Sequence, residues 1–144
     1  QGSHYAPHLV SRKIWEMVGG FSEEFNPGVA SDPDFNMKLW SKGIRIFKGI
    51  NNCKVYHFVS VVTERINIPS KNKMNIRSKA HKIFLLKWGI SIKFFKKFYL
   101  KTNSKYSGPL TIPKKDPVYL FNLLLCKFHY IYTKLIYNNL YSKN

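Results

Sequence analysis

Two carboxylates one residue apart, Asp32 and Asp34, and a histidine in an apolar run, His57, are residue types that catalysis uses. Hard divalent cations prefer carboxylate oxygens, so an Asp-x-Asp pair can hold a metal ion together with a nucleotide diphosphate. A carboxylate at the start of a helix also stays ionised near neutral pH and can act as a general base. The same pair can instead cap and stabilise a helix, a role that contributes about 1 kcal/mol.

The histidines allow similar alternatives. His57 is either a core or rim residue, or a neutral imidazole that binds a metal ion or a phosphate. His4 and His8 are four residues apart, but Pro7 lies between them and disfavours the helix that would align them as ligands. We therefore expect a loop there, leading into a short strand around residues 8–10.

The Asp32/Asp34 pair lies at the start of a predicted helix. Ser31 or Asp32 is expected to cap it, Pro33 suits its first turn, and Gly43 ends it. A shorter helix over residues 12–18 precedes it, capped by Ser11 and ended by the pair Gly19-Gly20. The second of these helices in the chain would place both carboxylates at its N-terminus.

Alternating apolar residues follow this helix. The alternation over residues 44–47 and 53–58 predicts two strands joined by a Gly-Ile-Asn-Asn turn. With the strand around residues 8–10, the order is strand, helix, helix, strand, strand. We therefore predict an α/β fold class for residues 1–64.

The rest of the chain differs in character. Residues 65–75 are polar and predict a linker, and residues 76–144 predict a helical extension. Its helices are expected over residues 76–88, over 91–100 and from Pro117 to about Tyr141, the last one capped by Asp116.

Charge separates the same two regions. The net charge of the chain is +17. Residues 1–64 carry seven basic and six acidic residues, whereas residues 65–144 carry seventeen basic residues and one acid, Asp116. A charge of this size indicates an anionic partner, such as acidic lipid headgroups, nucleic acid or a phosphorylated substrate.

Cellular location is indicated by what the sequence lacks. The two cysteines, Cys53 and Cys126, are too few for a disulfide framework, which favours a reduced, cytoplasmic setting. The N-terminus has no profile of a secretion signal, and no apolar run reaches the ~18–20 residues that span a bilayer. We expect a cytoplasmic protein that can associate with the inner face of the cell membrane.

Four motifs occur in an order that resembles the acceptor half of a family 2 glycosyltransferase. They are Val18-Gly19-Gly20-Phe21, Asp32-Pro33-Asp34-Phe35-Asn36-Met37-Lys38-Leu39-Trp40, Gly43-Ile44-Arg45 and Val55-Tyr56-His57. Two further stretches, Phe84-Leu85-Leu86-Lys87-Trp88-Gly89-Ile90 and Tyr106-Ser107-Gly108-Pro109-Leu110, also look like C-terminal features of one subgroup, so the resemblance covers about residues 5–110. It implies a partial GT-A-like α/β sandwich that transfers a sugar from a nucleotide-sugar donor to an acceptor hydroxyl, with inversion, in the synthesis of cell-envelope polysaccharide or glycolipid.

The resemblance also implies site residues. Asp32 aligns with the general base of the family, with Ser31 where many members have glutamate, and Asp34 is its orienter or an alternative base. His57 would lie near the metal ion, Mg²⁺ or Mn²⁺, or the diphosphate. Three residues would support the acceptor side: Gly20, Lys38 and Trp40.

The nucleotide-binding first half of that fold is missing from this sequence. We therefore expect residues 1–144 alone to be inactive and to work with a missing N-terminal half. The expected partners are the nucleotide-sugar and a glycan or lipid-linked acceptor.

The basic, aromatic extension has two other interpretations. A helix with leucines on one side and lysines and tyrosines beside them suits a membrane interface, and anionic lipid adds about 1 kcal/mol of attraction per basic residue. Basic residues among aromatics also suit single-stranded nucleic acid, although no RNP, KH, zinc-knuckle or helix-turn-helix pattern is present. The alternative to an enzyme is thus a non-catalytic module that binds nucleic acid or a membrane surface.

Overall fold

The chain is described by a computed structural model that covers residues 8–26, 28–50, 56 and 70–141, with side chains for residues 75–136 of the last range. Its helices are α1 (Arg12–Val18), a 3₁₀ turn (Glu23–Phe25), α2 (Ser31–Ser41), α3 (Ser70–Trp88), α4 (Ile92–Phe94, followed by a π-helical segment Phe95–Leu100) and α5 (Pro117–Tyr141). The described residues contain no β-strand. The prediction of an α/β sandwich is therefore wrong for this part of the chain, which is helical.

The predicted strands around residues 8–10 and over 44–47 have no regular secondary structure and no β-ladder. A strand needs a neighbouring strand to pair its N–H and C=O groups, and sequence alternation alone does not supply one. Arg45 C=O accepts a hydrogen bond from Leu110 N at 2.8 Å, a contact with a loop rather than with a strand. The third predicted strand, over residues 53–58, lies outside the described residues apart from Tyr56.

The helix boundaries follow local signals in most places. Ser11 Oγ accepts from Ile14 N at 3.3 Å and caps α1, which ends at Gly19 in the left-handed conformation (φ +72°). Asp116 Oδ1 accepts from Tyr119 N at 2.7 Å and caps α5. Ser91 Oγ caps α4 in the same way. These predictions are confirmed.

Helix α3 is longer than predicted. It begins at Ser70 rather than at residue 76, within the predicted linker 65–75. Its end at Trp88, before a left-handed Gly89, is as predicted. Residues 65–69 lie outside the described residues.

One hydrophobic core joins the two regions that charge separates. It contains Phe25 and Phe35 from the first region and Phe84, Phe95 and Leu100 from the second, all at most 2% exposed. Because burial of each large apolar side chain contributes about 1.5–3 kcal/mol, the basic helices stabilise the elements that carry the aspartates. No helix in the described ranges is long and apolar enough to cross a membrane.

Candidate functional site

Helix α2 begins in an unusual way. Its N-cap is Ala30, which is left-handed (φ +68°) and caps with no side-chain hydrogen bond, so the prediction of Ser31 or Asp32 as the cap is wrong. Ser31 Oγ donates instead to Gly28 C=O at 2.7 Å. Asp32 and Asp34 are thus both in the first turn of α2, where the helix dipole favours negative charge.

Asp34 lies at the centre of a buried polar network. Its side chain is fully buried. Oδ2 accepts from Ser22 Oγ at 2.7 Å, and Oδ1 accepts from the indole Nε1 of Trp88 at 2.8 Å. Lys87 Nζ lies 2.9 Å from Oδ1. Both oxygens therefore have protein partners, and the carboxylate joins α2 to the C-terminal end of α3.

Lys87 extends this network towards the surface. Its Nζ donates to Glu24 Oε1 at 2.6 Å and to Ser22 Oγ at 3.0 Å, as well as pairing with Asp34. Burial opposes the charge on the ammonium group, but the hydrogen bonds with Glu24 and Asp34 outweigh it and raise the pKa of Lys87. Lys87 therefore stays protonated throughout the neutral range. Neither Lys87 nor Trp88 was assigned a role in the site from the sequence, although both belong to the motif Phe84–Ile90 that is part of the resemblance.

Asp32 has a different environment. Its side chain is 25% exposed, and its Oδ1 lies 3.8 Å from His8 Nδ1. The imidazole of His8 is only 12% exposed and packs edge-on against Phe35, with ring centroids 5.4 Å apart. Neither ring nitrogen of His8 has a hydrogen bond within the described part of the chain. Asp32 is thus a reachable carboxylate with an imidazole beside it, and His8, interpreted above only against His4, is a site residue that the sequence did not reveal.

A cleft adjoins His8, although Asp32 is not part of its wall. Its volume is about 610 Å³, and His8 is part of its wall together with Asn36, Arg45, Lys48 and Pro109. Two basic side chains in the wall, Arg45 and Lys48, give the cleft a positive character. A cleft of this size has room for a sugar-sized ligand. His8 therefore links Asp32 to a basic cleft.

Three residues predicted to support the acceptor side hold α2 in place. Lys38 Nζ donates to Gly20 C=O at 3.0 Å and lies 3.9 Å from Asp34 Oδ2. Trp40 is buried, and the Arg45 guanidinium carbon stacks 3.9 Å from the centre of its ring. Gly20 is left-handed and faces the Trp15 ring, so a Cβ there would lie 2.6 Å from Trp15 Cζ2.

The predicted divalent metal has too few ligands in this part of the chain. No group of three His, Cys, Asp or Glu side chains comes together among the described residues. Asp34 has both oxygens engaged, which leaves Asp32 and His8 as the available donors. His57, predicted to lie near the metal or diphosphate, is outside the described residues. The described residues do not fit a metal site on their own.

Comparisons with known proteins add nothing to these observations: no family model, no curated protein and no solved structure matches the chain. The glycosyltransferase resemblance therefore rests on the sequence motifs given above.

Proposed function

We propose that this chain supplies the acceptor side of a glycosyltransferase site, in which a sugar moves from a nucleotide-sugar donor to an acceptor hydroxyl. The observation that supports the proposal best is the contrast between the two aspartates. Asp32 is partly exposed and lies beside His8, which is part of the wall of a basic cleft, whereas Asp34 is buried with both oxygens hydrogen-bonded. Of the two candidate bases, Asp32 is the one that an acceptor can reach.

In this proposal Asp32 is the general base. Its carboxylate takes the proton of the acceptor hydroxyl while the hydroxyl oxygen attacks the anomeric carbon of the donor sugar. The bond from that carbon to the diphosphate breaks, the nucleoside diphosphate leaves with the electron pair, and the configuration at the carbon inverts. Asp32 lies in the first turn of α2, and His8 Nδ1 lies 3.8 Å from its Oδ1.

The acceptor class follows from the charge of the cleft. Arg45 and Lys48 in its wall favour an acceptor or donor group that carries phosphate. A lipid-linked glycan on the cytoplasmic side of the membrane fits that requirement, and the product would be a cell-surface glycan or glycolipid. Mg²⁺ or Mn²⁺ would need ligands beyond the described residues, so no step above involves a metal ion.

The test is the transfer activity of the full-length protein that contains residues 1–144. A panel of nucleotide-sugars is offered with lipid-linked and free glycan acceptors, and released nucleoside diphosphate is measured. We expect Asp32→Asn to lower the rate by about 10²–10⁴-fold, the usual contribution of a general base. Asp116→Asn is the matched control, because it makes the same change at the N-cap of α5 and asparagine also caps helices.

Two results would contradict the proposal. Transfer by Asp32→Asn near the wild-type rate would show that another group is the base. If the wild-type protein consumed no donor with any of the acceptors, the result would favour the alternative of a non-catalytic binding module.

A further inference from the structure

Helix α5 packs on the rest of the chain through a narrow line of residues, with the half-buried Leu123 packed against the same core. Among its residues 117–136, three are buried, Tyr119, Cys126 and Thr133, and they follow one another at intervals of seven. Seven residues are almost two turns, so these three lie on one line along the helix. That line packs towards α3 and α4. A tyrosine, a cysteine and a threonine thus face the protein.

The opposite face is apolar and exposed. We call it the outer face, and its residues are Val118, Leu120, Phe121, Leu124, Leu125, Phe128, Ile131, Tyr132, Leu135 and Ile136. At 100° per residue they cover a continuous arc of roughly 160°. Exposed fractions of 61% for Phe121 and 63% for Phe128, near the middle of the arc, show that this part of the chain does not cover them. An apolar strip of this length and width marks an interaction surface.

The charged side chains of α5 are all positive, and the acid nearest to the helix in the sequence, Asp116, is its N-cap and accepts a hydrogen bond from Tyr119 N. Helix α5 contains no Asp or Glu, and Lys127 and Lys134, both exposed, lie next to the edge of the arc. Lys114 and Lys115, also exposed, come just before the helix. The partner that covers the outer face must therefore be apolar where it meets the leucines and phenylalanines and negative where it meets the lysines.

We propose that the outer face of α5 docks on an anionic phospholipid bilayer, with the helix lying in the plane of the surface. The apolar side chains enter the boundary between headgroups and acyl chains, and the lysines reach lipid phosphates. The tyrosine at position 132 places its hydroxyl at headgroup level. The packing of Tyr119, Cys126 and Thr133 on the protein leaves only one side of the helix for lipid.

A second copy of the chain fits the outer face less well. Each copy carries a net charge of +17, and α5 offers no carboxylates for ion pairs across a helix pair. A single-stranded nucleic acid satisfies the lysines but leaves most of the aliphatic arc in water. An anionic bilayer satisfies both requirements.

The first experiment measures sedimentation of the chain with vesicles. The probes are vesicles of phosphatidylglycerol mixed with phosphatidylcholine, and vesicles of phosphatidylcholine alone. We expect binding to the anionic vesicles, and at least a tenfold loss of affinity in the double variant Phe121→Gln with Phe128→Gln. Ile112→Gln is the matched control, because Ile112 is 76% exposed in the loop before α5 and lies off the outer face. It should bind like wild type.

The second experiment tests how much the positive charge of the lysines contributes to binding of anionic vesicles. Lys134→Glu should weaken binding to anionic vesicles by about fivefold or more, which corresponds to the roughly 1 kcal/mol of attraction per basic residue. Hydrogen–deuterium exchange should show slower exchange in α5 on anionic vesicles. This measurement needs only the wild-type chain, so it decides the proposal even if the double variant does not fold.

Three results would overturn the proposal: no binding to anionic vesicles, equal binding by the folded double variant, or no change of exchange in α5 on vesicles. Two further results would assign the outer face to another partner. One is binding to single-stranded oligonucleotide without binding to vesicles. The other is a dimer, seen by analytical ultracentrifugation, that the double variant abolishes, together with no binding to vesicles. None of these measurements depends on glycosyl transfer.

Discussion

The indole Nε1 of Trp88 donates a hydrogen bond of 2.8 Å to Oδ1 of Asp34, fifty-four residues earlier in the chain. The carboxylate is fully buried, and Lys87 approaches the same oxygen from the next position of α3. A buried charge is costly unless it is paired and hydrogen-bonded, and here both conditions are met. The contact fixes the start of α2, and with it Asp32, to the basic helical region.

Removal of the Asp34 carboxylate should be strongly destabilising. Asp34→Ala leaves the Trp88 N–H and the Lys87 ammonium group without their buried partner, and we expect a loss of about 3 kcal/mol in the free energy of unfolding. The ammonium group of Lys87 keeps part of its stabilisation, because Glu24 Oε1 still accepts a hydrogen bond from Lys87 Nζ. Urea denaturation followed by circular dichroism measures the loss. A loss below about 1 kcal/mol would show that the network is not important for stability.

Trp88→Phe tests the hydrogen bond separately from the ring. Phenylalanine keeps most of the apolar contact but has no donor for Asp34 Oδ1, which still pairs with Lys87. We expect a smaller loss, about 1–2 kcal/mol, measured in the same way. The double variant with Asp34→Ala should lose less than the sum of the two single losses, because the two residues share one interaction. Strict additivity would contradict a direct bond.

Most helices of this fold could be predicted from the sequence, because their signals lie close by, although the cap of α2 and the start of α3 could not. Ser11 and Gly19 bound α1, and Asp116 with Pro117 opens α5. The α/β class could not be predicted correctly, because a strand depends on a partner elsewhere in the chain. Over residues 44–47 alternation puts Phe47 inside and Ile46 outside, as in a strand, yet no strand of the described chain pairs with it.

The site was predictable in the same uneven way. The motif order indicated Asp32 and Asp34 as candidate site residues. It left their roles open, because a sequence does not distinguish a buried aspartate from an exposed one. Trp88, the partner of Asp34, is far away in the sequence, and His8, the neighbour of Asp32, lies in a segment predicted to be a loop leading into a strand. Only tertiary packing brings them to α2.

Gly20 should tolerate alanine much less well than its neighbour Gly19. Both residues are left-handed, so alanine costs about 1 kcal/mol of backbone strain at either position. At Gly20 the new Cβ also meets the Trp15 ring at 2.6 Å, whereas at Gly19 nothing lies within 4 Å. We expect Gly20→Ala to be the less stable variant by about 1–3 kcal/mol in urea denaturation. Equal stabilities would mean that the Trp15 ring moves away without cost.

Stability should fall in alkaline solution because of Tyr99. Burial, together with a hydrogen bond to the Tyr119 hydroxyl 3.4 Å away, raises the pKa of Tyr99 from 10.0 to about 12. Between these values the unfolded chain has lost a proton that the folded chain keeps, so stability decreases as the pH rises through this window. Thermal unfolding of Tyr99→Phe should depend less on pH there than that of wild type. Tyr106→Phe, at an exposed tyrosine, is the control, and an identical pH profile for wild type and Tyr99→Phe would contradict the prediction.

Glycine at position 30 should stabilise the start of α2. Ala30 caps the helix with φ +68°, a conformation that costs an L-residue about 1–2 kcal/mol and glycine almost nothing. Glycine also gives the unfolded chain more freedom, so we expect Ala30→Gly to gain only about 0.5–1 kcal/mol in the free energy of unfolding. Ala80→Gly is the matched control, and it should change the free energy of unfolding in the opposite direction. Ala80 is buried within α3, where glycine costs about 1 kcal/mol relative to alanine. A loss of stability in Ala30→Gly would show that the cap conformation is not strained.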